Sequence, residues 1–99
     1  MAQFQVHRLT AGKTLVLDCQ SDLLDPIDSR FVVPLIPLKD APQPARKLNP
    51  VFSIGGEDYV MLTQAASAVH RRELGETVGS LAEHHIEIVG ALNVLISGV

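Results

Sequence analysis

Four histidines and a group of three aspartates are the side chains of this sequence best suited to metal binding or proton transfer. His84 and His85 are adjacent, and because neighbouring side chains on a helix diverge by about 100°, both cannot readily ligate one metal ion. His85 is interpreted instead as a residue at the apolar boundary of a helix. Asp22, Asp25 and Asp28 are spaced by three, but a calcium loop needs denser oxygen ligands and a closing glutamate. These aspartates are therefore predicted to form Asx turns in a loop.

Cys19 is the only cysteine. It follows Leu15 and Leu17 at alternating positions, so we predict that it is buried in a strand. One cysteine forms no internal disulfide, which suits a reducing cytosol. The sequence also lacks nucleotide-binding glycine loops and the His-Glu-x-x-His zinc helix. We therefore predict no catalytic residue, no metal and no cofactor, and a cytoplasmic protein that acts by binding.

The charge of the chain disfavours nucleic acid as the main partner. There are 8 basic and 11 acidic residues, a net charge of −3, whereas an electrostatic hold on nucleic acid needs clustered Lys and Arg. The basic residues gather only in two short pairs, Arg46-Lys47 and Arg71-Arg72. A protein partner fits this charge better.

The last segment predicts a helix from Leu81 to Ile96. It lacks proline, and Ser80-Leu81-Ala82-Glu83 has the form of a capping box, in which the serine oxygen accepts the amide of Glu83. One stripe of this helix is predicted to face the core. Its members are Leu81, Ile88, Leu92, Leu95 and Ile96.

A second stripe of the helix carries no charge, which is unusual for a solvated surface. Its members are Ile86, Gly90, Asn93 and Ser97. Contact with a second protein and ordinary variation on an exposed helix both explain it. The chain then ends in the apolar stretch 94–99 without a charged side chain. Docking at a dimer interface or on a partner explains such an end, and packing on its own domain is the alternative.

Strands are predicted for the first half of the chain. Phe4 and Val6 alternate with polar residues, and a turn at 10–13, where Gly12 can take positive φ, leads into a return strand over 14–20. The further predictions are a loop over 21–29, a third strand over 30–36, an irregular segment over 37–50, a hairpin of 51–54 and 59–62, and a segment over 63–78 in which strand is favoured over helix. Pro34, within the third strand, indicates an edge or a bulge.

The 99 residues suit one domain, 1–99, and the apolar content of 46% indicates a folded chain. No signal-peptide pattern and no run of about 18 apolar residues is visible, so we expect neither secretion nor a membrane association.

Taken in order, these segments resemble the CcdB family of toxin–antitoxin toxins. The first strand and the second strand with its loop carry the best likeness, including the Gln20-Ser21-Asp22 triplet. The similar segments are 3–6, 18–25, 30–35, 48–55 and 74–81. No single motif is diagnostic, but their collinear order along the chain is.

The resemblance implies a mainly β fold with a C-terminal helix, an SH3-like β-barrel of the CcdB/MazF type with additional strands. It also implies a homodimer that binds the A subunit of DNA gyrase and traps gyrase on cleaved DNA. A cognate CcdA-like antitoxin would neutralise the toxin and repress the operon together with it. The toxin would then reach DNA only indirectly, through the antitoxin.

By position, the resemblance places the gyrase contact on the loop after the second strand, on the second helix stripe and on the last three residues. The implied site residues are Leu23, Leu24, Asp25, Ile86, Gly90, Asn93, Ser97, Gly98 and Val99. Ile86 and Gly90 replace polar amides of the family, and Ser97-Gly98-Val99 replaces Trp-Gly-Ile. The family tryptophan stacks on an arginine of gyrase, and serine has no aromatic face for this. Loss of such an anchor costs about 2 kcal/mol, or roughly thirtyfold in affinity.

Three functions follow from these observations. The first is a CcdB-type toxin acting on gyrase, and the second is a CcdB-like protein with a lost or altered target that retains antitoxin binding. The third is an RNA-cleaving toxin of the MazF type, which needs acid–base residues around bound RNA. The acidic charge and the better match to CcdB argue against the third.

Overall fold

The computed structural model describes residues 2–98, in which strands precede one α-helix. Val99 and the prediction attached to it lie outside the described residues. The strands are β1 (Gln5–Leu9), β2 (Leu15–Asp18), β3 (Ser29–Pro37), β4 (Val51–Ile54), β5 (Glu57–Met61), β6 (Ser67–His70) and β7 (Leu74–Ser80). The helix, α1, spans His85–Ser97 and follows a short 3-10 turn at Ala82–His84.

The strands form one curled antiparallel sheet in the order β4-β5-β3-β2-β1-β7. β6 pairs with the first half of β3, and β5 pairs with the second half. The sheet with its terminal helix confirms the predicted mainly β fold of the CcdB/MazF type. It also confirms that the segment over 63–78 favours strand, since β6 and most of β7 lie there.

Pro34 shows that the expectation of an edge or a bulge was wrong. β3 is a central strand, paired with β2 along one side. In an antiparallel strand the nitrogen and the carbonyl oxygen of one residue point to the same side, and the Pro34 carbonyl accepts from the amide of Leu62, the residue directly after β5. The proline nitrogen therefore points to where β3 changes partner from β6 to β5, so no ladder hydrogen bond is lost.

The two predicted hairpins form, the first with a turn over 10–14 and the second with a tighter turn than its sequence indicates. In the second, Ile54 pairs with Glu57, so the turn is Gly55-Gly56 alone and the strand begins at Glu57. Both glycines have positive φ, 60° and 85°, as two-residue hairpin turns require. In the first turn Gly12 is not among the residues with positive φ, so its predicted conformation is wrong.

The irregular segment over 38–50 is tied back to the sheet by one buried side chain. Asn49 accepts from the amide of Ala45 and donates to the carbonyl of Met61 and to the side chain of Gln64. Thr63 adds a hydroxyl bond to the carbonyl of Leu48. These bonds hold the irregular segment against the end of β5, next to the 3-10 turn on which α1 packs.

The main core lies between the concave face of the sheet and α1. Leu15, Leu17 and Cys19 share this face as predicted, and Ile88 and Ala91 of α1 are buried against it. A smaller apolar cluster covers the opposite face of the sheet, with Val16, Val32 and Leu74 at its centre.

The start of the helix differs from the prediction. The Ser80 hydroxyl accepts from the amide of Ala82 rather than that of Glu83, so the capping box does not form. A 3-10 turn at Ala82–His84 then precedes α1, whose N-cap is His84. Because β7 runs to Ser80 and Leu81 is buried in the core, the chain must first turn away from the sheet before it can enter the helix.

The predicted core stripe of α1 is too wide at its end. Leu81 and Ile88 are buried and Leu92 packs against the core, but Leu95 and Ile96 are exposed. Ile96 lies about 80° around the helix from Ile88, outside the buried sector. Leu95 points nearer to the core side, but it lies in the last turn, where burial has already fallen from Ala91 onward.

Candidate protein-binding site

The side of α1 away from the core exposes large apolar side chains. Ile86 is 76% exposed and Ile96 is 79% exposed. We define the outer helix face as Ile86, Val89, Asn93, Ile96 and Ser97, all exposed. Glu87 is the one acidic residue of α1, and the helix holds no lysine or arginine. Such a surface is typical of a contact with another protein.

A groove of about 500 Å³ runs beside this face. Glu87, Gly90, Ala91 and Val94 of α1 form one wall, and Lys47, Pro50 and Val51 form the other. A Cβ added to Gly90 would meet nothing within 4 Å, so the glycine leaves open space rather than serving a close contact. Gly90 therefore widens the groove next to the outer helix face.

The connection between β2 and β3, residues 19–28, presents a second apolar surface, and we call it the β2–β3 loop. Leu23, at its tip, is 90% exposed, and Leu24 and Ile27 are about half exposed. Ser21 caps the 3-10 turn Asp22–Leu24 by accepting from the amide of Leu23. Water solvates exposed leucine side chains poorly, so leucines on a capped turn are suited to contact with another protein.

Two acidic residues of this loop, Asp22 and Asp25, make long-range contacts that the Asx-turn prediction did not include. Asp22 accepts from the amide of Gln3 at 2.8 Å. The Asp25 carboxylate lies 3.7 Å from Arg30 and 3.8 Å from Arg71. Among residues 2–98 no group of three or more acidic, histidine or cysteine side chains could hold a metal ion.

Arg30 connects the loop to the interior of the protein. Its Nε and Nη2 donate to Asp18 Oδ2 at 3.1 and 2.7 Å, and both side chains are fully buried. Asp18 and Arg30 lie on the same sheet face as Val16 and Val32, because strand side chains alternate. A row of alternating charges therefore runs from the buried Asp18 through Arg30 and Asp25 to the surface at Arg71.

The histidines sit in structural contacts. His7 is buried, with Nδ1 3.3 Å from the Thr77 hydroxyl and 3.4 Å from the Gly75 carbonyl. The ring of His84 packs on Phe52 with centroids 5.0 Å apart. The boundary histidine is therefore His84, and His85, for which that place was predicted, is exposed.

Cys19 is buried as predicted. Burial, aided by the negative charge of Asp18, raises the pKa of its thiol from 9.0 to about 12. A thiol that stays protonated is a weak nucleophile, which fits a filler of the core.

This pKa shift predicts a loss of stability in alkali. Above about pH 9 the thiol of the unfolded chain ionises while the folded thiol keeps its proton, so the unfolded state binds fewer protons and stability falls with pH. The extra decline is expected to reach about 1.4 kcal/mol per pH unit. Urea unfolding of native protein and Cys19→Ala between pH 8 and 11 measures it, and equal slopes for both proteins would contradict it.

The predicted site residues fall into two groups. Those on α1 and its end are Ile86, Gly90, Asn93, Ser97 and Gly98, and those on the β2–β3 loop are Leu23, Leu24 and Asp25. All are exposed except Asp25 and Gly90, which are half-buried. α1 packs on the 3-10 turn Thr63–Ala65, whereas the loop is held by Arg30 and Arg71. The structure thus brings each group together and anchors the two groups to different parts of the fold.

Sequence reasoning missed three exposed apolar residues, two on the outer helix face and one on the β2–β3 loop. Val89 and Ile96 flank the second helix stripe, and their positions around the helix, about 100° and 80° from Ile88, were the available signal. Ile27 was missed because it was counted only as loop.

Within residues 2–98 no helix has the length and apolarity that a bilayer-crossing helix requires.

A curled antiparallel sheet closed by one C-terminal helix is a fold shared with solved structures. A solved endoribonuclease in complex with its cognate antitoxin, from Mycobacterial species, has this fold. It superimposes with a TM-score of 0.75 over 95% of this chain and 92% of that chain, at 16% sequence identity. At this identity the likeness shows a shared fold.

The sequence narrows the class to one family. The family model described as CcdB protein matches residues 3–98. The chain therefore belongs to the CcdB family, whose namesake is a toxin of type II toxin–antitoxin systems. Membership of this family identifies the chain as a toxin of a toxin–antitoxin module.

Proposed function

We propose that this toxin forms a homodimer that binds the A subunit of DNA gyrase and traps the enzyme on cleaved DNA. It acts by binding, and a cognate CcdA-like antitoxin neutralises it. The observation that carries the proposal is the outer helix face, where Ile86 and Ile96 are more than three-quarters exposed on a helix with one charged residue. Water solvates such a face poorly, so a protein partner is its expected cover.

In a symmetric dimer the outer helix faces of both protomers would form one composite surface. In a two-fold dimer each surface patch is duplicated about the axis. Two α1 ends near that axis would offer a pair of apolar surfaces to a target that is itself two-fold. The exposed Leu23 and Leu24 of each β2–β3 loop would enlarge the contact.

Removal of residues 97–99 is expected to abolish gyrase trapping while leaving the fold intact. Ser97 and Gly98 are exposed, and the helix contacts that build the core lie at Ile88 and Ala91, so little stability is lost. Purified native and shortened proteins are compared with gyrase and supercoiled plasmid, and linear cleaved DNA is the readout. Urea unfolding of both proteins shows whether the fold is kept.

Asp58→Asn, a change at an exposed site on β5, serves as the control and should trap gyrase like the native protein. Cleaved DNA from the shortened, folded protein at native levels would show that the end of α1 is not part of the site. No cleaved DNA from the native protein itself would contradict gyrase as the target.

Cleavage of RNA is the second candidate function, because the solved structure of similar fold is named an endoribonuclease. It requires proton-transfer groups that reach the substrate. His7 is buried in the sheet, whereas His70 and His85 are exposed and His84, although packed on Phe52, has 36% of its side chain exposed. Incubation of purified protein with a defined RNA tests this function, and its failure in a His70→Ala, His85→Ala variant would identify the groups.

A further inference from the structure

The tip of the β2–β3 loop, unlike its first residue Cys19, has no side chain buried in the core. None of the residues in its 3-10 turn, Asp22–Leu24, is buried, and Leu23 points into solvent. Segments with few buried apolar contacts open easily. A loop that must be ordered on binding loses affinity, because ordering costs free energy at that step.

A side chain from a distant part of the sequence anchors the end of the loop, in addition to the contacts of Asp22 with Gln3 and of Asp25 with Arg30. Arg71 Nη2 donates to the carbonyls of Asp25 and Ile27, the latter at 3.1 Å. Its Nη1 lies 3.8 Å from Asp25 Oδ1, and its backbone amide donates to the Asp28 carbonyl at 2.7 Å. A single residue therefore contacts three of the last four residues of the loop.

Arg71 is itself held in a well-bonded turn. The 3-10 turn Arg71–Glu73 has a capping box, in which His70 Nδ1 accepts from the amide of Arg72 and Glu73 accepts from the amide of His70 at 2.7 Å. The turn lies between β6 and β7, and both strands belong to the sheet. The guanidinium of Arg71 thus holds the loop in a fixed position relative to the sheet.

We propose that Arg71 is a positioning residue, which fixes the β2–β3 loop so that Leu23 and Leu24 are presented to the protein target. The inference rests on the proposed function, in which this loop is part of the gyrase contact. A planar guanidinium bridges two carbonyls and a carboxylate with little loss of side-chain freedom, whereas a lysine ammonium is a point charge on a flexible stem. The loop is therefore ordered before the target arrives.

The test compares Arg71→Gln with the matched control Arg72→Gln. Both remove one positive charge from the same turn, and Arg72 is exposed, with its backbone amide as its contact to His70. Hydrogen exchange is measured at the amides of Leu24 and Ile27, which donate within the loop. Binding to the gyrase A subunit and the urea midpoint are measured on the same proteins.

Arg71→Gln is expected to lower exchange protection in the loop and affinity for the A subunit by about tenfold each. The urea midpoint should stay close to that of Arg72→Gln, which separates positioning from a general loss of stability. Arg71→Lys is expected to fall between native protein and Arg71→Gln, since it restores the charge without the planar fork.

Unchanged loop protection in Arg71→Gln would overturn the inference, and so would a loosened loop with native affinity. A native protein that does not bind the A subunit would show that the proposed target is wrong. In that case the exchange data still decide the positioning role, because lost protection in Arg71→Gln alone would support it and equal protection would overturn it.

Discussion

Asp18→Asn is expected to lower the free energy of unfolding by about 3–5 kcal/mol, because it leaves a fully buried arginine without its main partner. Arg30 donates twice to Asp18 Oδ2, and neither side chain is exposed. Arginine stays charged in proteins, so the variant must hold a buried charge whose remaining carboxylate partner, Asp25, is half-buried and not hydrogen-bonded to it. The other carboxylate near Arg30, that of Asp25, lies 3.7 Å away, too far for a hydrogen bond.

A loss of this size is a large part of the total stability of a small domain, about 5–15 kcal/mol. Urea unfolding monitored by circular dichroism measures it. Asp58→Asn is the matched control, since the same atoms change at an exposed site and the expected effect is within about 0.5 kcal/mol.

A second variant separates the buried charge from the loss of contacts. Replacing the pair together, Asp18→Val with Arg30→Met, leaves no charge in the interior and is expected to recover most of the loss. Equal stabilities of Asp18→Asn and Asp58→Asn would show that the pair contributes little. A double variant less stable than Asp18→Asn would show that the ion pair is favourable in itself.

Local patterns were sufficient for most of the fold. The alternation of Leu15, Leu17 and Cys19 placed these residues on the core face, and the glycine-rich turn before β5 joined two strands, because both signals act over a few residues. Pro34 was misread because its tolerance depends on which strand lies opposite its nitrogen. That is decided by where β6 ends and β5 begins, a long-range property.

The loop anchors differ in how visible they are from sequence. Asp18 and Arg30 could have been placed on one face, since each lies two residues from a buried valine, Val16 or Val32, in its own strand. Arg71 carries no such signal, because its partner Asp25 is 46 residues away and the register of β3 with β6 alone brings them together. The exposure of helix residues was predicted correctly only where the helical period alone decides which residues face the core.

Ser97 is the position at which this chain departs most from the CcdB pattern that it resembles. Ser97→Trp is therefore expected to raise gyrase trapping about thirtyfold. Ser97 is exposed at the last turn of α1, where its hydroxyl donates to the Asn93 carbonyl at 2.8 Å. A side chain here extends the outer helix face from Asn93, and Gly98, with φ of 74°, ends the helix directly after it. An indole at this position would add a large flat surface with a π face that can receive an arginine.

Ser97→Leu is the control that separates the aromatic face from apolar area. It adds a large apolar side chain at the same exposed position, so it should recover only a small part of the gain. The amount of protein needed for half-maximal cleaved DNA is measured for native protein and both variants, with urea unfolding as a check on the fold. Equal potency of Ser97→Trp and native protein would mean that this chain reaches gyrase without its helix end or has another target. In that second case antitoxin binding should persist in all three proteins, because a changed target does not require a changed partner.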